Sequence, residues 1–226
     1  MCGRFAFFSL TPQDLQAFDL GSGYVDLKPR YNIAPTQQAM VVPNLSPRRL
    51  ESFRWGLVPG WAKDLKIGAR LINARAETLT EKPSFREAFR KRRCLVPADG
   101  FFEWKDTGDG KVPYFVRLKT ERPFALAGLW ESYQPNGEKP LLTFTIITTS
   151  PNELLQPIHR RMPVILPAAA YDRWLDPDPA RVADLKPLLA PFSSAEMDAY
   201  PVSARVNSPS NDDQDVIRIV LEGDLS

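Results

Sequence analysis

The 226-residue chain has one histidine, His159, and two cysteines, Cys2 and Cys94. Two cysteines do not make a disulfide framework, and with a single histidine they cannot supply a structural zinc site. Neither a metal nor a cofactor is expected. A serine triad would have to use the same lone histidine, and no Gly-x-Ser-x-Gly elbow is present. The chain also lacks a P-loop and the glycine fingerprint of dinucleotide-binding folds. No apolar run approaches the roughly 18 residues that a membrane span needs. The opening segment, Arg4 followed by Phe5-Ala6-Phe7-Phe8, has no long apolar region or cleavage site of a signal peptide. A cytoplasmic protein without membrane contact is therefore expected, nucleoid-associated in a bacterium or nuclear in a eukaryote. The net charge is only +2, too small for a broad polyanion-binding face.

What the chain does have is proline: 22 residues, about twice average usage, scattered as turn punctuation rather than gathered in a tail. No repeat, low-complexity block or interdomain linker interrupts it, so residues 1–226 are expected to form one domain. Thr11-Pro12-Gln13-Asp14 reads as a helix start, with an N-cap, proline at the first helical position and an acidic third residue. Strands are predicted at 38–42, 50–55, 94–97, 101–104, 114–118, 124–130 and 141–148, and a last one at 216–221. Residues 84–92, 168–175 and 180–189 read as helices, and Ser150-Pro151-Asn152-Glu153 repeats the helix-start pattern. The basic run Arg90-Lys91-Arg92-Arg93 resembles a nuclear-localisation or phosphate patch, though a short basic run at a helix end is usually a solvated face. Cys94 lies in an apolar stretch and is expected to be a reduced core thiol. The pattern lacks βα alternation. It points to an α+β fold with a mixed or antiparallel, barrel-like sheet core and flanking helices.

Cys2 follows the initiator Met1. If Met1 is removed, Cys2 carries a free α-amine beside its thiol. An α-amine has a pKa of about 7.7–8.0, so much of it is nucleophilic at neutral pH. It can condense with an aldehyde to an imine, on which the sulfur can close a five-membered thiazolidine. The plain alternative is that Cys2 simply starts a strand. His159 lies in Pro157-Ile158-His159-Arg160-Arg161-Met162-Pro163, where prolines can fix a loop that aims the ring. Glu103 shares a strand face with Phe101, while Phe102 and Trp104 take the other. Its carboxyl is either desolvated with a raised pKa or wet on an edge strand. Asn73 can orient a thiol or amine, or form a turn. Arg4, Arg75 and Arg161 can fork onto phosphates and Trp61 and Trp104 can stack on bases; surface and core roles are the alternatives.

Seven segments, in order, resemble the SOS response-associated peptidase (SRAP) family, whose members process abasic DNA sites. They are Cys2-Gly3-Arg4-Phe5, Tyr31-Asn32-Ile33-Ala34-Pro35, Trp55-Gly56-Leu57-Val58-Pro59, Ile72-Asn73-Ala74-Arg75-Ala76-Glu77-Thr78, Ala98-Asp99-Gly100-Phe101-Phe102-Glu103-Trp104, Ile158-His159-Arg160-Arg161-Met162-Pro163 and Pro201-Val202-Ser203. The resemblance implies a single SRAP domain, acting as a monomer, that binds single-stranded DNA containing abasic sites. It also implies a covalent thiazolidine between Cys2 and the ring-opened aldehyde. Cys2 is then the nucleophile, Asn73 orients it, Glu103 handles protons and His159 assists ring opening and imine chemistry. Arg4, Arg75 and Arg161 would hold phosphates, and Pro35, Trp61 and Trp104 would pack against sugar or base. The chain departs from many relatives at Arg160, where they carry Asp or Asn, and at Ala62, where some have an aromatic. Two other function classes fit the same residues: a cysteine-type (auto)peptidase built on Cys2, Glu103 and His159, and a non-covalent reader of damaged or modified DNA.

Overall fold

Aromatic and β-branched residues in short alternating runs make this chain a strand builder, and prolines keep its helices short. A computed structural model describes residues 2–9, 11–20, 27–137 and 139–220. Among these, the strands are β1 (Phe5–Phe7), β2 (Arg30–Ile33), β3 (Gln38–Pro43), β4 (Glu51–Trp55), β5 (Asn73–Arg75), β6 (Arg93–Ala98), β7 (Gly100–Asp106), β8 (Lys111–Leu118), β9 (Phe124–Tyr133), β10 (Leu141–Thr149), β11 (Met162–Pro163), β12 (Ile165–Leu166) and β13 (Met197–Pro201). The α-helices are short: α1 (Pro12–Leu15), α2 (Arg86–Lys91) and α3 (Tyr171–Leu175).

Strands β10, β4, β3, β6 and β9 pair in that order, and β9 pairs back onto β10, closing a five-stranded barrel. All its pairings are antiparallel except β4 with β10, where Arg54 faces Thr143 and Trp55 faces Phe144. Closure removes the unpaired edges that an open sheet would expose. β5, β11 and β12 extend the barrel wall, β5 running parallel to β10 with Asn73 opposite Ile146. The α+β, barrel-like expectation is met in this respect. The second sheet has the order β13-β8-β7-β1-β2.

β1 joins the two sheets. Phe5 and Phe7 point into the barrel-side core, where Phe5 meets Trp55 edge-on at 5.2 Å and Trp55 stacks on Phe144. Ala6 faces the other way, into a smaller cluster with Phe102, Phe115, Val202 and Val206. Burying each of the large side chains is worth about 1.5–3 kcal/mol. Gly56, following Trp55, sits at φ +121°, and a Cβ there would lie 2.6 Å from the Gly68 carbonyl oxygen. Only glycine meets both conditions.

Several expectations need correction. Residues 180–189 form 3₁₀ turns within Pro179–Leu189 rather than an α-helix, because Pro187 interrupts the run and supplies no N–H. The stretch from Val216 is a 3₁₀ turn over Gln214–Ile217, started by the Asp213 carboxylate accepting from the Asp215 N–H; only Ile219 makes a bridge, to Val202. Leu221 lies outside the described residues. The helix-start pattern at Ser150 gives turns, and Asn152 is the capping residue, its Oδ1 accepting from the Leu155 N–H at 3.0 Å. Arg93 is not solvated: only 1% exposed, it donates to the carbonyls of Phe89 and Arg90 at the end of α2, and of Trp174 and Asp176 at the end of α3. Cys94 is buried, as expected. At Thr11 the predicted cap forms, with Asp14 reciprocating.

The last described segment seals the sheet edge. β2 is an outer strand, and Asp212 Oδ1 accepts from the Tyr31 and Asn32 N–H groups at 2.6 and 2.7 Å while Oδ2 binds Arg30. Asp212→Ala leaves two edge donors without their acceptor. We expect it to lose roughly 1–3 kcal/mol of unfolding free energy in urea titrations, with the m-value unchanged.

Candidate active site

The pairing of β1 with β7 determines where the first residues go. Phe5 faces Phe101, and the Phe102 N–H donates to the Arg4 carbonyl at 2.9 Å, so the ladder continues past the strand end. The antiparallel register carries Cys2 and Gly3 alongside Glu103 and Trp104. Cys2 is fully buried, in the same core cluster as Phe5, Trp55, Phe101 and Met162. Both readings of Cys2 left open by the sequence therefore meet here, for it leads into a strand and also lies against polar groups.

Three segments bring polar groups to it. Asn73, the first residue of β5, donates from Nδ2 to the Cys2 carbonyl at 2.8 Å. Glu103 occupies the β7 face shared with Phe101 and is only 2% exposed, which rules out the wet-edge alternative. His159 ends the turns after β10; its N–H donates to the Leu155 carbonyl at 2.8 Å, and its Nδ1 is 3.7 Å from Glu103 Oε2. Four residues spread across 158 positions thus come together in the core seam.

Burial dominates the electrostatics. It pushes the Cys2 thiol up, and the Glu103 charge pushes it further. Burial also raises the Glu103 carboxyl to about 7, so acid and carboxylate coexist near neutrality. His159 is lowered, first by burial and further by the Arg160 and Lys111 charges, while its bond to Arg161 opposes this. The lowering favours the neutral imidazole. Arg160, the departure noted in the sequence, thus favours the neutral ring.

The residues expected to contact DNA are more dispersed. Arg75 is exposed at the end of β5, and Pro35 is half-buried in the turn before β3. Trp61 is 61% exposed beside a cavity of about 370 Å³ that Pro83, Arg86, Glu87 and Glu131 also line. Arg4 is turned inward: its guanidinium donates to Asn32 Oδ1 and the Val206 and Asn207 carbonyls at 2.8, 2.6 and 3.3 Å. Trp104 is half-buried, and its indole N–H donates to Asn207 Oδ1 at 2.8 Å. Arg161 is forked on Glu77.

Sequence reasoning missed Asn32, Asn207 and Glu77. Asn32 is fully buried and holds the Val206, Ser208 and Asn211 carbonyls with its amide. Asn32 and Glu77 stand inside segments singled out for other residues, and Asn207 lies four positions past Ser203. For Asn32 and Glu77 the available signal was the polar residue within a recognisable segment; Asn207 had none.

A family model described as SOS response associated peptidase (SRAP) matches residues 1–209. "Abasic site processing protein YoqW" of Bacillus subtilis is 46% identical over 221 residues, covering 96% of this chain and 99% of that one. "Abasic site processing protein HMCES" of Gallus gallus is 33% identical over 218 residues, covering 82% of this chain and 64% of the longer relative. The crystal structure of a protein from Bacteroides thetaiotaomicron superposes with a TM-score of 0.87 at 32% identity, covering 97% of this chain and 100% of its own.

The Glu103 shift has a consequence for stability. Its folded pKa of about 7 stands above the unfolded value near 4.5, so the folded state holds the proton more tightly. Stability is then greatest below about pH 4.5 as far as this group is concerned, and is lost as pH rises through 7. We expect Glu103→Gln to remove that decline, leaving the variant more stable than the parent at pH 8 by on the order of 2–3 kcal/mol. Urea midpoints measured from pH 5 to 8 check this; parallel curves for parent and variant would contradict the shift.

Proposed function

Since the chain belongs to the SOS response associated peptidase (SRAP) family, we propose that it processes abasic sites in single-stranded DNA. The reaction is a crosslink in which Cys2, made N-terminal by removal of Met1, forms a thiazolidine with the lesion's ring-opened aldehyde. The observation that carries this reading is the position of Cys2, buried beside Asn73 and Glu103, with His159 3.7 Å from the Glu103 carboxyl.

The abasic sugar is mostly a closed hemiacetal, so a proton must leave its hydroxyl before the aldehyde appears. Neutral His159 can take that proton and return one to the ring oxygen as the C–O bond breaks, leaving a hydroxyl on the opened sugar. The α-amine nitrogen then adds to the aldehyde carbon and passes one proton to its oxygen. The resulting hydroxyl leaves as water with a proton from Glu103, which takes back the second N–H proton to leave the imine. In the imine, the Cys2 sulfur bonds to the same carbon while the C=N pair moves to nitrogen. The thiol proton passes through Glu103 to that nitrogen. The balance is one C–N and one C–S bond formed and one water lost. A carboxyl near pKa 7 suits both directions of transfer. Asn73, holding the Cys2 carbonyl, limits the orientations that amine and sulfur can take, which makes ring closure effectively intramolecular.

The same electrostatics weigh against a peptidase. A cysteine peptidase works through a thiolate held ready, and here burial raises the thiol. Ring closure tolerates a thiol that gives up its proton only as the C–S bond forms. For DNA, exposed Trp61 offers a stacking face and exposed Arg75 a phosphate contact. Unpaired bases are needed for such stacking, which favours single strands.

The two nucleophiles of residue 2 are separable. Cys2→Ala retains the α-amine after Met1 removal but has no sulfur. We expect it to give no durable adduct with abasic single-stranded DNA, yet to be trapped covalently when borohydride reduces the imine. Peptide mass spectrometry locates the trapped nitrogen; attachment at a lysine would remove the α-amine from the mechanism.

A further inference from the structure

We propose that Glu77 is a positioning residue for His159, acting through Arg161. Glu77 lies on the 3₁₀ turn Ala76–Thr78 that follows β5, the strand carrying Asn73. Its two carboxylate oxygens accept from both terminal nitrogens of Arg161, at 2.6 and 3.0 Å. This fork is a geometry that Lys or a single hydrogen bond cannot reproduce. The same guanidinium also donates to the Thr148 carbonyl, at 2.5 Å, near the end of β10. Arg161 is thus fixed from two elements, with its side chain 17% exposed.

The Arg161 backbone in turn fixes the ring. His159 Nδ1 lies 3.0 Å from the Arg161 carbonyl oxygen and 3.1 Å from its nitrogen. Either tautomer therefore has a partner on Arg161: a protonated Nδ1 donates to the carbonyl, an unprotonated one accepts from the N–H. The turns from Asn152 to His159 hold the His159 backbone, whose N–H donates to the Leu155 carbonyl. Tying Arg161 to Glu77 also holds the His159 loop against the segment that presents Asn73. Two groups of the proposed site are thereby kept in one frame. Glu77 itself is 53% exposed, so the ion pair adds little stability, and its role is geometric.

The functional meaning of this coupling rests on the crosslinking reading above, and one histidine makes the coupling testable apart from it. All imidazole nitrogen signals of the labelled protein belong to His159. Three variants are compared: Glu77→Ala, Glu77→Gln and Glu77→Asp. The last keeps the charge but is too short for the fork. The Glu103, Lys111 and Arg160 charges that face the ring stay in place throughout. We expect all three variants to broaden or move the imidazole ¹⁵N resonances and to shift their titration midpoint. The rate of adduct formation at saturating abasic oligonucleotide should fall roughly 10- to 100-fold, as for a misplaced reacting group. Affinity for an oligonucleotide carrying a tetrahydrofuran analogue, which has no aldehyde, should stay the same or tighten, because an anion has been removed or Arg161 released. Unchanged imidazole signals in all three variants would overturn the proposal. So would parental behaviour of Glu77→Asp, which would make the effect one of charge alone. If the parent forms no adduct at all, the crosslinking reading fails while the imidazole spectra still decide the coupling.

Discussion

The molecule depends on one constraint: β1 is an interior strand, flanked by β7 and β2, and its side chains alternate between two cores. A segment only a few residues from the start of the chain would ordinarily fray. Here Phe5 and Phe7 are anchored against the barrel, Ala6 against the opposite cluster, and the Arg4 carbonyl remains in the β7 ladder. Cys2 is carried into the seam between the sheets as a consequence. Its burial follows from strand pairing, and the Asn73 amide on its carbonyl adds to it.

The chemistry of the site follows from that burial. Water is excluded around Cys2 and Glu103, and the same desolvation raises the thiol and the carboxyl while lowering the imidazole. Each group is moved toward its neutral form, and the Glu103 carboxyl, at about 7, is the one brought to where it both gives and takes a proton near neutral pH. The cost falls on the fold, which keeps a carboxyl where a neutral amide would be more stable. A second ring of residues holds the frame. Asn32 and Arg4 grip the 206–211 segment, Asn207 holds Trp104, and Glu77 grips Arg161. Arg4 and Arg161 thus support neighbouring segments as well as carrying charge.

Much of the barrel was legible because β3, β4, β6, β9 and β10 have runs of strand-forming residues bounded by turn signals, as β7 has in the second sheet. β5 and β11 were not, since strands of three and two residues owe their existence to β10 beside them rather than to propensity. The departure at Val216 and Ile217 has a local cause: the Asp213 carboxylate starts a 3₁₀ turn over Gln214–Ile217, and pairing is left to Ile219, which bridges Val202. At the site, Cys2, Glu103 and His159 could be named from their chemistry, Glu103 with two environments still possible. Asn32 and Glu77 could not, because their function lies in which backbone or side chain they hold, and that is set by tertiary pairing. Arg93 teaches the same lesson: four carbonyls at two helix ends draw a nominally surface arginine into the core.

The most direct test is the intact mass of the Met1-processed protein after incubation with a single-stranded oligonucleotide bearing one abasic site, with no reductant added. The expected species has the summed mass of protein and oligonucleotide less one water, survives heating, and maps to residue 2. Recovery of unmodified protein and oligonucleotide alone, or of an adduct attached elsewhere, would contradict a thiazolidine at Cys2.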